Sequence, residues 1–252
     1  MFIIPKCKID SFLPFPFSLI ETTSIMDYEY TIQEIKRAAT LVGIAKSENA
    51  DGRIESAMKE TPFLNEMKQI LITDHPDWDV VISPPRASCD IMVNSIRINL
   101  KLTDCKSSDN SMNKPSIFYS ITGLTTYPYS SNWNDFIERI REAKIKKQRD
   151  KRTEYHYLVK NKLTGDVLLK PIFDIHTYVS NPSNDLQINW KNEFLHADYG
   201  IADADADSDS DSHEQYMKKV EELLLCIQKS VREMIERSRL FAEADISALL
   251  AS

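Results

Sequence analysis

An α/β fold, a mixed sheet flanked by helices, follows from three features of the sequence. Two stretches near the start repeat apolar residues at helical spacing. Two stretches further on alternate as paired strands do, and a long heptad-spaced run closes the chain. All-helical and all-strand architectures each leave one of these periodicities unexplained. The chain has 252 residues, 42% of them hydrophobic, so it can bury one large core or two small ones.

The opening MFIIPKCKIDSFLPFPFSLIE is apolar, but Pro5, Pro14 and Pro16 break it and Lys6, Lys8 and Asp10 interrupt it. It lacks a signal peptide's order of basic, apolar and small residues, so residues 1–26 read as an arm that packs on the body or on a partner. Over 27–46, Ile32, Ile35, Ala39 and Val42 fall at helical spacing and Gly43 lies near the end. Over 52–72 a second helix carries Ile54, Met58, Met67, Ile70 and Leu71 inward, and Pro62 predicts a break or bend. A short strand, 79–83, precedes a hairpin of two strands, 90–93 and 96–102, turning at Asn94-Ser95.

The polar stretch 103–114 reads as a loop, and 115–123 as a helix with Pro115 in its first turn and Gly123 at its close. A helix over 134–151 carries Phe136, Ile137, Ile140 and Ile145 inward. A hairpin over 154–173 turns at Thr164-Gly165, and 185–190 is one more extended segment. The acidic repeat IADADADSDSDSHE cannot bury apolar surface and reads as a linker over 201–213. Ser212 and Gln215 then form a capping-box pattern at the head of a long C-terminal helical segment, 214–252. Its Met217, Val220, Leu224, Ile227, Val231 and Met234 make a heptad seam that suits either its own domain or a second helix in a dimer.

The formal net charge is −7, and six acidic residues lie in the repeat IADADADSDSDSHE, five of them in that linker and Glu214 just after it. In contrast, 139–152 holds eight basic residues against two acidic ones, a stripe fit for a solvated helix face or for phosphates. Total charge therefore does not exclude a polyanionic partner. Cys7, Cys89, Cys105 and Cys226 are scattered, without paired spacing or neighbouring histidines. That argues against a zinc site or a disulfide framework and for reduced thiols in a cytoplasmic protein. No apolar run approaches the roughly 18 residues a membrane span needs.

The first hairpin carries the chemistry. With the turn at Asn94-Ser95, Val93 faces Ile96, Ile91 faces Ile98, and Asp90 faces Asn99. Ile98, Leu100 and Leu102 then share one face, while Asn99 and Lys101 share the other with Asp90. In the bland reading, Asp90 and Lys101 form a surface ion pair worth about 0–1 kcal/mol. In the chemical reading, Asp90, the Asn99 amide oxygen and the Leu100 carbonyl hold Mg²⁺, which favours such oxygen ligands. A water acidified by the metal and aligned by Lys101 then attacks a phosphodiester, and Lys101 offsets the charge that builds on the phosphate.

At these residues the chain resembles the PD-(D/E)xK nuclease superfamily, and more narrowly a type II restriction endonuclease. The family pattern maps onto Asp90 and Asn99-Leu100-Lys101, an NxK variant in which the amide keeps an oxygen ligand but removes a charge. The residue before Asp90 is Cys89 where the family often has proline. Family members often place a helix glutamate near the metal, and Glu55 is the candidate here, beside its reading as a solvent-facing acid. The stretch 101–123 is also similar to one that follows the lysine in several restriction enzymes. Its Lys106, Ser107, Ser108, Asp109, Asn110, Asn113 and Lys114 are the candidate DNA-binding residues, most of them donors for phosphates and base edges.

The resemblance covers roughly 50–190 and implies a restriction-endonuclease-like mixed central sheet over a nuclease domain, 27–200. It implies Mg²⁺-dependent, sequence-specific cleavage of double-stranded DNA, a homodimer to cut both strands of a palindrome, and a cognate DNA methyltransferase as genetic partner. Two alternatives stand beside it. One is a repair or recombination nuclease of the same fold. The other is a non-catalytic DNA-binding or assembly protein with a degenerate site, which the amide at Asn99 keeps open.

Overall fold

The computed structural model describes residues 25–44, 52–84, 87–105, 109–112, 114–124, 132–144, 150–181, 184–198 and 213–251. The arm up to residue 24, the linker over 201–212 with its capping Ser212, and Lys106, Ser107, Ser108 and Asn113 lie outside these residues. The described elements are α1 (Ile25–Leu41), α2 (Gly52–Asp74), β1 (Val80–Ile82), β2 (Ile91–Val93), β3 (Ile96–Thr103), β4 (Asp109–Met112), α3 (Lys114–Thr122), α4 (Trp133–Lys144), β5 (Tyr155–Asn161), β6 (Val167–Pro171), β7 (Tyr178–Asn181), β8 (Asn184–Ile188), α5 (Trp190–Asp198) and α6 (His213–Ala251). The fold is therefore α/β, as the mixed periodicities require. Among the described residues no helix is long and apolar enough to cross a membrane.

The main sheet runs β1-β2-β3-β5-β6. β1, β2 and β3 are successive antiparallel neighbours, β3 and β5 are parallel, and β5 and β6 close as an antiparallel hairpin. The parallel β3–β5 step needs a crossover, and α3 and α4 lie on that crossover. A second sheet runs β4-β8-β7, antiparallel throughout.

Each face of the main sheet covers its own core. On one side Ile91, Ile96, Ile98, Leu100, Leu102 and Leu158 pack under Ile35, Ala39, Phe63, Leu64, Met67 and Leu71 of α1 and α2. On the other, Tyr155, Tyr157 and Val159 pack with Ile117 and Phe118 of α3, Phe136 and Ile140 of α4, Trp190 of α5 and the buried side of α6. Helix α1 ends on Lys160 of β5. This buried ammonium donates to the carbonyls of Ala39 (2.8 Å), Thr40 (3.1 Å) and Val42 (2.5 Å), capping the last turn.

Several expectations are corrected. Helix α2 runs unbroken from Gly52 to Asp74 with Pro62 inside it. Proline forfeits one backbone bond there, and the burial of Phe63, Leu64, Met67 and Leu71 holds the helix across the gap. The polar stretch 103–114 is not all loop, because β4 pairs with β8 as an edge strand, where polar side chains are tolerated. The helix expected over 134–151 is described as far as Lys144. Lys151–Thr153 is instead a 3₁₀ turn capped by the Asp150 side chain, which accepts from the Arg152 N–H at 3.0 Å.

The heptad seam of α6 turns to its own domain. Val220, Leu224, Ile227 and Val231 are buried in the second core, with Met217 and Met234 packed at its margin. Those residues leave no seam free for a second helix.

Candidate functional site

The first hairpin forms in the expected register, with Val93 opposite Ile96 and Ile91 opposite Ile98. Its turn is set by Asn94 at φ 46° and Ser95 at φ 74°, both left-handed, as a two-residue hairpin with right-twisted strands demands. Asparagine tolerates that region because its short amide bonds locally. Here the Asn94 Oδ1 accepts from the Asp79 N–H at 3.0 Å, and the Asn94 N–H donates to the Asp79 carbonyl at 2.9 Å.

Along β3 burial alternates strictly from Ile96 to Leu102. The isoleucines and leucines are buried, while Arg97, Asn99 and Lys101 lie half-buried on the other face. The β2–β3 pairing ends at Ile91–Ile98, and Asp90, immediately before Ile91, meets β3 through its own hydrogen bonds. Its N–H donates to the Ile98 carbonyl at 2.9 Å, and its carbonyl accepts from the Ser83 N–H at 2.9 Å. Its Oδ2 accepts from the Leu100 N–H at 2.7 Å, so the carboxylate takes the bond a further β2 residue would have made. Behind it, Cys89 is buried, with its Sγ 3.4 Å from the Ser83 hydroxyl, and the Tyr155 hydroxyl donates to the Ser88 carbonyl at 2.5 Å.

This geometry disposes of the surface ion pair. Asp90 and Lys101 make no ion pair within 4 Å among the described residues, and Asp90 spends one oxygen on the backbone. The Asn99 Oδ1 is buried with no hydrogen-bond partner, a costly arrangement for an amide oxygen that nothing ligates. A residue's N–H and C=O point to the same side of its strand, so the Leu100 carbonyl is directed to the Asp90 side.

A further acid joins this group. Burial pushes the Glu60 carboxyl of α2 above its ordinary range, the nearby Asp90 charge pushes it the same way, and Lys101 pulls it back. Glu60 therefore feels both ends of the Asp90–Lys101 pair. Glu55 lies five residues earlier on α2, where the helix backbone is described and the side chain is not. Sequence reasoning missed Glu60, yet a signal existed. The buried stripe Leu71, Met67 and Phe63–Leu64 steps back by three or four residues onto Glu60, an acid on an apolar helix face.

Among the described residues no three His, Cys, Asp or Glu side chains gather as a metal group. The donors the hairpin itself offers are the Asp90 carboxylate, one amide oxygen and one backbone carbonyl. Such an all-oxygen set suits Mg²⁺ chemically, and the orphaned Asn99 oxygen fits it.

Of the DNA-contact candidates, Asp109 and Asn110 fall in β4, and Lys114 begins α3 with its ammonium 4.7 Å from the centre of the Trp133 ring. The arginine side of the basic stripe is partly committed. Arg141 forks onto Glu221 of α6, with both nitrogen–oxygen distances at 2.8 Å, and also pairs with Glu138, while Arg139 pairs with Asp135. A second buried acid, Glu193 of α5, has both oxygens engaged, by Lys170, the backbone and hydroxyl of Thr177 and the His176 N–H, and so has a structural role. No family model, curated protein or solved structure matches the chain.

Proposed function

We propose that the chain is a Mg²⁺-dependent endonuclease of the PD-(D/E)xK type, a type II restriction enzyme that cuts double-stranded DNA at a specific sequence. One observation supports the reading: the Asp90 carboxylate takes the N–H of Leu100, the residue between Asn99 and Lys101, and the Asn99 oxygen is buried without a partner. Asp90, Asn99, the Leu100 carbonyl and Glu60 would hold the metal, with Glu60 in the role first assigned to Glu55. Bound Mg²⁺ would supply Lewis acidity toward the phosphate and toward water. Lys101, free of ion pairs among the described residues, orients the attacking water and offsets charge building on the phosphate oxygens. Asp90 is held in place by the Leu100 N–H, so the site is ordered before substrate arrives.

Cutting both strands of a palindrome calls for two copies of the chain. Their contact would lie elsewhere than on the buried seam of α6, and a cognate methyltransferase would protect the host's own sites. The test is incubation of the purified chain with phage-sized DNA and Mg²⁺, with sequencing of fragment ends. Discrete fragments with one end sequence are expected, and Lys101→Ala should reduce cleavage by about a hundredfold or more. Cleavage only of branched or damaged DNA would favour a repair nuclease. The amide at Asn99, which removes a charge from the site, favours a second reading, a DNA-binding protein that does not cut, and retention of DNA without any cleavage would select it.

A further inference from the structure

Two of the chain's five histidines, His176 and His196, meet at the surface. His176 lies in the connection from β6 to β7, and His196 lies on α5. Their ring centres are 6.4 Å apart and the ring planes cross at 66°. His176 is exposed and His196 half-buried, so solvent reaches the pair. Among the described residues neither imidazole has a hydrogen-bond partner. That sets the two apart from His75, which bonds Glu34, and from His156, which is held between Tyr28 and the Glu154 carbonyl.

Their nearness is built into the backbone. Glu193 of α5 is fully buried, and its Oε1 accepts from the His176 N–H at 2.9 Å and from the Thr177 N–H at 2.7 Å. Its Oε2 accepts from Lys170 at 2.8 Å. His196 stands three residues past Glu193 on the same helix, a spacing at which side chains are neighbours. One carboxylate therefore ties the His176 backbone to the helix that carries His196. Fixing both backbones in advance lowers the entropy lost when the two rings take a shared ligand.

A neutral imidazole with no other bond keeps a nitrogen lone pair for a metal. Such nitrogens suit borderline transition ions, Zn²⁺, Ni²⁺ or Cu²⁺, whereas Mg²⁺ takes oxygen. With nitrogen–metal bonds of about 2.0–2.1 Å, two imidazoles on one tetrahedral ion have ring centres about 5 Å apart. A small rotation of the exposed His176 side chain closes the observed 6.4 Å to that distance. No group of three His, Cys, Asp or Glu side chains gathers among the described residues, so the protein supplies two ligands and water completes the shell.

We propose that His176 and His196 form a two-imidazole site for a divalent transition ion of the Zn²⁺ class. The proposal does not rest on the nuclease reading, since neither Asp90 nor Lys101 takes part.

The untagged full chain is titrated calorimetrically with Zn²⁺ and with Ni²⁺ against a background of about 10 mM Mg²⁺, which competes for sites made only of carboxylates. One saturable event per chain is expected, with a Kd on the order of 0.1 mM or tighter. His176→Ala and His196→Ala should each weaken it by about tenfold or more. The double variant should lose little beyond either single one, because two ligands of one ion are coupled. His213→Ala, beside the acidic repeat, should bind as the wild type does. Thermal unfolding gives a second readout: Zn²⁺ should raise the midpoint of the wild type and leave that of the double variant unmoved. The proposal is overturned if the wild type gives no saturable heat by about 1 mM, if either single variant binds as the wild type does, or if His213→Ala alone abolishes binding.

Discussion

Asp90 holds two jobs that one pair of substitutions separates. Its Oδ2 accepts the Leu100 N–H at 2.7 Å, and its charge faces the Lys101–Glu60 region. Asp90→Asn keeps an oxygen able to take the Leu100 N–H and removes only the charge. Asp90→Ala removes both and leaves a strand N–H unpaired. A hydrogen bond to a charged acceptor contributes about 1.5–3 kcal/mol, and a half-buried site lowers that, so Asp90→Ala should cost about 1–2 kcal/mol. Asp90→Asn should cost less than about 0.5 kcal/mol, because a neutral bond replaces a charged one while Glu60 loses a repulsive neighbour. Urea unfolding measures both. Cleavage of plasmid DNA in Mg²⁺ should fall by about a hundredfold or more in both variants, since the charge that holds the metal is gone from each. Wild-type cleavage by Asp90→Asn refutes the assignment, and equal stability loss in the two variants refutes the Leu100 bond.

Glu60→Gln should reduce cleavage while leaving stability at pH 7 unchanged or higher by up to about 0.5 kcal/mol, a value kept small by the partial solvation of the carboxyl. Its folded pKa is raised, so the wild type is most stable relative to this variant below the ordinary carboxylate pKa and loses ground as pH rises through the folded value. The difference between the two should therefore close below about pH 4.5 in urea titrations. Lys160→Met keeps the aliphatic stem but strips three carbonyls at the end of α1 of their donor, and should cost about 2–3 kcal/mol in the same assay, with the desolvation of the ammonium already discounted. Glu193→Gln should cost about 3 kcal/mol at pH 7, because it leaves Lys170 without its buried partner. Burial alone would raise the Glu193 carboxyl, but Lys170, Thr177 and His176 together hold it below its usual range. That stability is present above the unfolded pKa and is lost as pH falls through the folded one, so in urea titrations the difference between wild type and variant should shrink progressively as pH falls below the ordinary carboxylate range.

The sequence discloses what is local. Alternation from Ile96 to Leu102 and a turn at two residues that tolerate left-handed backbone fix the hairpin, and the structure has that register pair for pair. The hairpin at Thr164-Gly165 is equally local, with Gly165 at φ 82°. What escapes reading is decided by distant packing. β4 reads as loop because an edge strand needs no apolar pattern, and its partner β8 lies some seventy residues later. The α6 seam has the same spacing whether it meets a second chain or its own domain, and burial of Val220 and Ile227 in the second core decides it. Glu60 was not singled out because a helix acid gains meaning only from the charges near it, and the Asp90 and Lys101 charges that act on Glu60 come from other elements.

The stability of the fold and the chemistry proposed for it rest on one alternation. A slip of one residue in the β2–β3 pairing would carry Ile98, Leu100 and Leu102 to the half-buried face. It would also press Asn99 and Lys101 into the core under α1 and α2. An unpaired ammonium in such a core costs several kcal/mol, and an unpartnered amide about 1–3 more. Together they rival the whole stability of a typical domain, about 5–15 kcal/mol, so the slipped pairing is not a competing state. The leucines and isoleucines of β3 therefore act on the site without touching it. By locking one register they hold a carboxylate, an amide and an ammonium on one patch of sheet, and they keep the buried oxygen of Asn99 where a cation can repay its lost hydration.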